Sequence, residues 1–241
     1  MGFDVFDYSS QGGRAYNEDA VSYKVVGNSG VFVVADGLGG HQYGELASSC
    51  ICDVLVDAWN GAFMQDTAIW LQNQIALSNN SILKLQEEKR AVLKSTVVAL
   101  AVDNGKADWA NVGDSRLYYL HGSELISYTN DHSVAYKKYA AGMITRDQIR
   151  TDEDQSSLLR SVGSPERSAP ELYPSVYLQP GDAFMLCSDG LWEHISDGEV
   201  LIDLLKATTA KEWAENLLLR AIDRVNGKHD NISILTVMVT P

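Results

Sequence analysis

The sequence predicts an α+β protein, a four-layer sandwich of two packed antiparallel β-sheets flanked by helices on both sides. Short runs rich in Val, Ile, Tyr and Phe are bounded by Gly, Asn or Asp, which is typical of strands joined by turns. Segments with apolar residues at helical spacing stand before, between and after these runs. The strict alternation of strand and helix that marks a doubly wound parallel sheet is absent from the sequence pattern.

Eight segments are predicted as strands, and two of them differ from the rest. Val31–Ala35 and Ala183–Ser188 are apolar without alternation, so both faces of each strand should be covered. Asn104-Gly105 between two other runs indicates a hairpin. The predicted strands are Val31–Ala35, Thr96–Val102, Ala107–Val112, Arg116–Leu120, Glu124–Tyr128, Ser175–Leu178, Ala183–Ser188 and Ile232–Val239.

Helices are predicted where apolar residues recur at every third or fourth position. This spacing runs through residues 46–58 and 213–225. Ser196-x-x-Glu199 and Thr209-x-x-Glu212 have the form of capping boxes, which indicates that helices begin there. Another helix is expected to cover much of Ile69–Leu85.

The composition limits the class of protein. The 241 residues contain no repeat or Pro-rich linker, so a single domain over residues 1–241 is expected. The net charge of −13 disfavours nucleic acid as a partner, and no apolar run has the length of a membrane span. Cys50, Cys52 and Cys187 are an odd number of thiols in apolar segments, which suits reduced core cysteines and a cytoplasmic location.

Two apolar strands are each followed, at the C-terminal end, by an aspartate and then a glycine. Asp36-Gly37 follows one of these strands, and Asp189-Gly190 follows the other. Asp230 stands just before the last predicted strand, and in antiparallel neighbours the end of one strand lies beside the start of the next. We therefore expect Asp36, Asp189 and Asp230 to share one rim, where their repulsion favours a bound divalent cation such as Mg²⁺ or Mn²⁺.

Local pattern leaves two of three further polar segments with alternative interpretations. Arg14-x-x-Asn17-Glu18-Asp19 is either a solvated loop or a cation placed ahead of two acids. Gly113-Asp114-Ser115-Arg116 is interpreted as a hairpin held by an Asp114–Arg116 ion pair. Asp131-His132-Ser133 is either a helix cap or a segment that carries a ligand.

Taken in order, these segments resemble the metal-dependent Ser/Thr protein phosphatase family, type 2C, and its bacterial branch in particular. The resemblance spans nearly the whole chain and implies a sandwich of two antiparallel sheets flanked by helices, in agreement with the pattern of strands and helices. The matching pieces are RAYNED at 14–19, VADGLGG at 34–40, ANVGDSR at 110–116, TNDHS at 129–133, LLRSVG at 158–163, LCSDGLWE at 186–193 and HDNIS at 229–233.

The resemblance implies a centre for two Mn²⁺ or Mg²⁺ ions. Asp36 would bridge the two ions, with the Gly37 carbonyl on one of them. Asp189 and Asp230 would hold the other ion. These roles are implied by the family and are carried over to the matching positions of this sequence.

The resemblance also implies roles around the two ions. Glu18 and Asp19 would bind metal-bound waters. Asp131 would help to hold a third, weaker metal beside Asp189. Arg14 would bind the substrate phosphate, and its planar guanidinium suits that role because it can contact two phosphate oxygens at once.

The function hypothesis is hydrolysis of phosphoserine and phosphothreonine by direct attack of a hydroxide that bridges two metal ions, with Arg14, Asp36 and Asp189 as catalytic residues. Phosphoproteins are the expected partners, among them a Ser/Thr protein kinase. Two alternatives stay open: a weakly catalytic regulatory or binding module of the same fold, and a hydrolase of small phosphate esters. Some family members have a His after the metal-bridging Asp-Gly, where this chain has Leu38, and the nearby His41 is not favoured as a substitute general acid.

Residues 134–164 are expected to form a flap beside the metal centre. A short helical pattern at Val134–Ala141 leads to a capped turn at Thr145–Arg150, and a wholly polar stretch follows at Thr151–Ser157. Because the flap follows Asp131 directly, a substrate-contacting role is favoured over a plain solvated connection.

Overall fold

The computed structural model describes residues 1–38, 43–61, 66–225 and 227–241. Its strands are β1 (Gly2–Ser10), β2 (Asp19–Val26), β3 (Ser29–Leu38), β4 (Lys94–Ser95), β5 (Val97–Asp103), β6 (Lys106–Val112), β7 (Arg116–His121), β8 (Glu124–Tyr128), β9 (Glu171–Leu172), β10 (Val176–Tyr177), β11 (Asp182–Cys187) and β12 (Ile232–Thr240). Its helices are α1 (Gly44–Ala58), α2 (Thr67–Lys89), α3 (Val134–Ala140), α4 (Asp189–Trp192), α5 (Asp197–Lys206) and α6 (Ala210–Arg224), and a 3₁₀ helix covers Arg146–Thr151.

The strands form two antiparallel sheets with helices outside. In the described part of the chain, sheet A has the order β1–β12–β11–β7–β8, and sheet B has the order β10–β6–β5–β3–β2, with β4 and β9 paired to β3 and β6. Helices α1 and α2 cover the outer face of sheet B, and α5 and α6 cover the outer face of sheet A. The four-layer α+β sandwich predicted from the sequence is confirmed.

Strand β3 shows why a buried strand lacks polar alternation. Phe32 and Val34 point between the two sheets, whereas Val31, Val33 and Ala35 pack against the helices on the other side. All five side chains are fully buried. Both faces of the strand are apolar because both faces are covered, as expected from the sequence. Strand β11 is covered on both faces in the same way.

Each of the eight predicted strands overlaps an observed strand, although Ser175–Leu178 contributes only the two residues of β10. The sequence pattern does not predict β1 or β2. Strand β1 carries Asp4 and Asp7 among its apolar residues, yet it pairs with β12 along its whole length. Asp4 Oδ2 accepts a hydrogen bond of 2.8 Å from the N–H of Ala210, so this charge lies at the start of α6. Among the described helices, none is long and apolar enough to cross a membrane.

The topology brings the acid-bearing strand ends to one rim of the sandwich. Asp19, the first residue of β2, pairs with Asp36 of β3. Strands β11 and β12 run antiparallel, so Asp189 after the end of β11 lies near Asp230 before the start of β12. The rim therefore collects acids from both sheets.

Replacement of Phe184 in β11 would test the packing between the two sheets. Its ring is fully buried and stacks on Tyr119, with ring centroids 4.9 Å apart. Replacement by Ala leaves a cavity between the sheets, so we expect the free energy of unfolding in urea to fall by about 3–5 kcal/mol. Ile222→Ala on the exposed side of α6 is the control and should change stability by about 0.5 kcal/mol or less. Equal losses for the two variants would contradict this arrangement of layers.

Candidate metal centre

The backbone of Asp36 is fixed by hydrogen bonds to the start of β5. The Asp36 N–H donates to Thr96 Oγ1 at 3.1 Å, and the Asp36 carbonyl accepts from the Thr96 N–H and from Ser95 Oγ, each at 2.8 Å. Thr96 Oγ1 also shares a hydrogen bond of 2.7 Å with Ser115 Oγ. Because the main chain is satisfied in this way, the position of the Asp36 carboxyl is set by the sheet.

Glycine at position 37 lets helix α1 contact β3 directly. A Cβ on Gly37 would lie 2.3 Å from the Gly44 carbonyl oxygen, and a Cβ on Gly44 would lie 2.8 Å from the Gly37 carbonyl oxygen. Glu18 joins the same contact, since its Oε1 accepts from the Gly44 N–H at 3.2 Å. The Gly37 carbonyl and the Glu18 carboxyl therefore meet at the start of α1, and no larger residue fits at 37 or 44.

Ser188 links the two sheets beneath the carboxylates. Its Oγ donates to Asp19 Oδ2 at 2.8 Å and accepts from the Ser233 N–H at 3.0 Å. The next residue, Asp189, begins α4, and its charge adds to the effect of burial in raising the pKa of Asp36. Acids of sheet A and sheet B are therefore held together around one hydroxyl group.

Asn231 holds the loop that carries Glu18. Its Oδ1 accepts from the Glu18 N–H, and its Nδ2 donates to the carbonyls of Gln11 and Tyr16, each at 2.9 Å. The Asn231 carbonyl oxygen would lie 2.0 Å from a Cβ at Gly190, so only glycine fits there. Local sequence pattern assigns no role to Asn231, because its partners lie more than 200 positions away in the chain.

Arg14 and Asp230 form an ion pair at the opening of the centre. Arg14 Nη2 donates to Asp230 Oδ2 at 2.6 Å, and the two side chains are 62% and 39% exposed. Asp230 Oδ1 accepts from the Asn231 N–H at 2.8 Å. An exposed pair of this kind contributes about 0–1 kcal/mol, so Arg14 can change partners at little cost in free energy.

The acids raise one another's pKa values. Burial, followed by the charges of Asp189 and Asp19, raises the pKa of Asp36 well above its usual range. Burial raises the pKa of Asp19 to about 7, and burial together with the charge of Asp230 raises the pKa of Asp189 to about 6. A bound cation removes repulsion of this kind, and carboxylate and carbonyl oxygens are the donors that Mg²⁺ and Mn²⁺ prefer. The donor set therefore fits divalent cations.

The carboxyls have other partners in this conformation. In the described residues, no group of three or more His, Cys, Asp or Glu side chains is already arranged to hold a metal ion. Arg14 Nη2 donates to one oxygen of Asp230. A divalent cation bound there would replace this contact, since the contact uses a carboxylate oxygen.

Asp131 lies in a buried ion pair with Arg116. Arg116 Nε donates to Asp131 Oδ1 at 2.8 Å, and Arg116 Nη2 donates to Asp131 Oδ2 at 2.6 Å. The guanidinium also lies 3.6 Å above the ring centroid of Trp192. Both carboxylate oxygens of Asp131 are thus used within the protein. The prediction of an Asp114–Arg116 ion pair is wrong, because Arg116 pairs with Asp131 instead.

Asp114 is a further acid at this centre, although local sequence pattern places it in a hairpin ion pair instead. Its side chain is buried, and burial together with the charge of Asp189 raises its pKa well above the usual range. It directly follows Gly113 at the end of β6. The sequence therefore contains a signal for it, an acid at a strand tip next to glycine, as at Asp36 and Asp189.

A groove with a volume of about 490 Å³ leads away from the carboxylates. Arg14, Asp189 and Asp230 lie in it, and Gln155 and Ser156 of the expected flap form part of its wall. The helical turn and the capped turn expected in the flap are present as α3 and as the 3₁₀ helix with its capping box. Leu38 is the last residue of β3, whereas His41 and the glycines at 39 and 40 lie outside the described residues.

Comparison with known proteins decides the family. The sequence model of the family described as Protein phosphatase 2C matches residues 8–221. The chain belongs to the protein phosphatase 2C family. Both the family resemblance and the fold class inferred from the sequence are thereby confirmed.

Within the protein phosphatase 2C family, the chain is similar to bacterial proteins over nearly its whole length. It is 31% identical over 231 residues to the serine/threonine phosphatase stp of Listeria monocytogenes, covering 93% of this chain and 90% of that protein. The crystal structure of Stp1 from Staphylococcus aureus superposes with a TM-score of 0.88 at 28% identity, covering 100% and 96% of the two chains. The catalytic domain of PstP in complex with two manganese ions superposes with a TM-score of 0.86 at 26% identity, covering 99% of each chain.

The metal-free protein phosphatase 2C chain should lose stability as the pH rises from about 5 to 8. Folded Asp189 and Asp19 keep their protons up to pH values of about 6 and about 7. Unfolded Asp titrates near about 3.9, so the folded state binds more protons in this range and the free energy of unfolding falls with rising pH. Thermal unfolding in a chelating buffer measures this. Asp36→Asn should give a shallower pH dependence, and an identical slope would argue against mutual repulsion as the cause.

Asp114 and Asp131 should respond in opposite ways to loss of charge. Asp131→Asn leaves Arg116 buried without its partner, so the metal-free protein should lose about 3–5 kcal/mol of unfolding free energy. Asp114→Asn removes a buried charge that Asp189 repels, so stability at neutral pH should be unchanged or higher. Urea unfolding in a chelating buffer compares the two. A loss at Asp114 as large as that at Asp131 would show that Asp114 is a structural acid.

Proposed function

We propose that this chain is a metal-dependent protein serine/threonine phosphatase that hydrolyses phosphoserine and phosphothreonine. The observation that carries the proposal is the meeting of Asp36, Asp189 and Asp230 at one rim, where acids from both sheets raise one another's pKa values. Membership of the protein phosphatase 2C family and relatives named serine/threonine phosphatases support it.

Two Mn²⁺ or Mg²⁺ ions would be held by oxygen donors of the rim. Asp36 and the Gly37 carbonyl lie on sheet B, and Asp189 and Asp230 complete the set from sheet A. Divalent ions there supply Lewis-acid chemistry, because they neutralise phosphate charge and make water a better nucleophile near neutral pH. Their use by the structurally similar PstP domain, which was crystallised with two manganese ions, supports this assignment.

The protein's own residues hold this arrangement and bind the substrate. Asp19 pairs with Asp36, and Glu18 lies beside Gly37 and Gly44, so both would accept hydrogen bonds from bound waters. Arg14 would leave Asp230 and bind the phosphate, which its exposed position allows. A guanidinium suits the two or three phosphate oxygens better than an ammonium does, because it donates two parallel hydrogen bonds.

A third, weaker ion would lie beside Asp189 with Asp114 as its further ligand. The family resemblance implies Asp131 in this role, but both oxygens of Asp131 accept hydrogen bonds from Arg116. Asp114 is buried, burial and the charge of Asp189 raise its pKa, and no other residue among those described donates a hydrogen bond to its carboxylate. The ligand is therefore proposed to be Asp114.

Phosphoproteins are the proposed partners, and a Ser/Thr protein kinase is the class of enzyme that must supply such substrates. A groove of about 490 Å³ beside the carboxylates favours an extended peptide over a small phosphate ester, because it continues beyond the space that one phosphate needs. A weakly catalytic binding module would have no need for the full set of acids at the rim.

Purified protein with Mn²⁺ should release phosphate from phosphoserine and phosphothreonine peptides. Asp36→Asn and Asp189→Asn remove oxygen ligands, so we expect kcat to fall by about two orders of magnitude or more, with the fold retained by circular dichroism. Asp57→Asn, an exposed acid of α1, is the matched control and should keep full activity.

The same assay separates the alternatives. A higher kcat/KM for free phosphorylated metabolites than for phosphopeptides would favour the small-ester hydrolase. No phosphate release from any substrate by the metal-loaded protein would favour the binding module and refute the phosphatase.

A further inference from the structure

Basic and acidic side chains line the groove beside the metal centre in equal number. Arg14, Arg224 and Lys228 contribute to its walls with His194 and His229, and so do Asp189, Glu193 and Asp230. The chain as a whole has 19 Lys and Arg against 32 Asp and Glu. The groove is therefore formally neutral, whereas the protein as a whole is strongly acidic.

Lys228 is positioned by contacts between two backbone loops. The Gly13 N–H donates to the His229 carbonyl at 3.0 Å, and a Cβ on Gly13 would lie 2.5 Å from the Gly227 carbonyl oxygen. The loop of Arg14 and the loop of Lys228 thus pack main chain against main chain. One loop presents a cation that pairs with Asp230, and the other presents a cation to the same groove.

Arg224 and Lys228 differ in whether their side chains already have partners within the protein. Arg224 donates to both carboxylate oxygens of Glu199, at 2.5 and 2.8 Å, and to the His194 carbonyl at 2.6 Å. Lys228 is exposed, and within the described residues it has no hydrogen bond or ion pair. Lys228 is therefore the cation in the groove that can bind an added anion without losing an existing partner.

We propose that this groove binds acidic side chains that flank the phosphorylated residue of the substrate, and that Lys228 determines this specificity. The inference rests on the proposed phosphatase function and names its substrate class: acidic phosphopeptides. Arg14 and the metal centre would take the phosphate, and Lys228 would take an Asp or Glu a few residues along the peptide.

The net charge of the protein predicts the opposite preference. A measured preference for acidic peptides would therefore have to come from the groove. A chain of net charge −13 attracts basic peptides at long range. At 0.15 M salt, however, charges are screened beyond about 8 Å, so contacts inside the groove outweigh the distant surface. The preference for acidic peptides should therefore be measured at this ionic strength.

The experiment compares kcat/KM for phosphoserine peptides whose neighbours on one side are Asp, Ala or Lys, with both sides tried. With Mn²⁺ at 0.15 M salt, the unmodified protein should prefer the Asp peptide over the Ala peptide by about three- to tenfold on at least one side. The gain should be in KM, because the contact is made equally in the ground state and the transition state. Lys228→Glu should abolish or reverse the preference.

Lys84→Glu is the matched control. Lys84 is an exposed residue of α2, away from the groove, and its replacement changes the net charge by the same amount. It should keep the preference for acidic peptides. Equal rates for all peptides with the unmodified protein, a preference for Lys peptides, or the same loss in both variants would each overturn the proposal.

A small aryl phosphate distinguishes this inference from the proposed function. It has no flanking residues, so the unmodified protein and Lys84→Glu should hydrolyse it at the same rate. Normal hydrolysis without a peptide preference refutes only the specificity. Absence of hydrolysis in the unmodified protein refutes the phosphatase itself and the specificity with it.

Discussion

Repulsion among carboxylates at one rim of the sandwich is the constraint on which the rest of the structure depends. Asp19 and Asp36 approach from sheet B, and Asp189 and Asp230 approach from sheet A. In the absence of a cation, burial and the charges of neighbouring acids raise the pKa values of Asp19, Asp36 and Asp189. Such an arrangement persists only if the surrounding structure determines it, and here two apolar layers and their helices do so.

The acids are positioned by contacts of the main chain around them. Glycines at 37, 44 and 190 permit backbone approaches that a Cβ would block. Ser188 and Asn231 then bind across the two sheets and the loop before β2. The main-chain polar groups of Asp36 and Glu18 are satisfied by the protein itself, so the sheet and its loops set where the carboxylates lie. Rigid support of this kind suits a centre whose own charges oppose its assembly.

Most of the fold, and the three acids at strand tips, could be predicted from sequence because their signals are local. Asp36 and Asp189 follow buried strands and precede glycine, whereas the roles of Glu18 and Arg14 came only from the family resemblance. Asp114 was misassigned because a nearby Arg two positions away suggested a local ion pair. That Arg116 instead binds Asp131, 15 positions further along the chain, and no local pattern contains this information. Strands β1 and β2 were missed because their charged residues at the edge of each sheet interrupt the apolar pattern.

Net charge and local charge have separate consequences in this protein. An excess of 13 negative charges is spread over the chain, yet the groove beside the metal centre carries Arg14, Arg224 and Lys228 among its acids. In the proposed function, the acids at the rim would bind cations and the basic side chains of the groove would bind an anionic substrate. Two divalent ions would bring four positive charges against the five negative charges of Glu18, Asp19, Asp36, Asp189 and Asp230, and so would neutralise most of the charge of the rim. Binding of metal and binding of an acidic phosphopeptide are therefore expected to reinforce each other, since the metal removes negative charge that would repel the peptide.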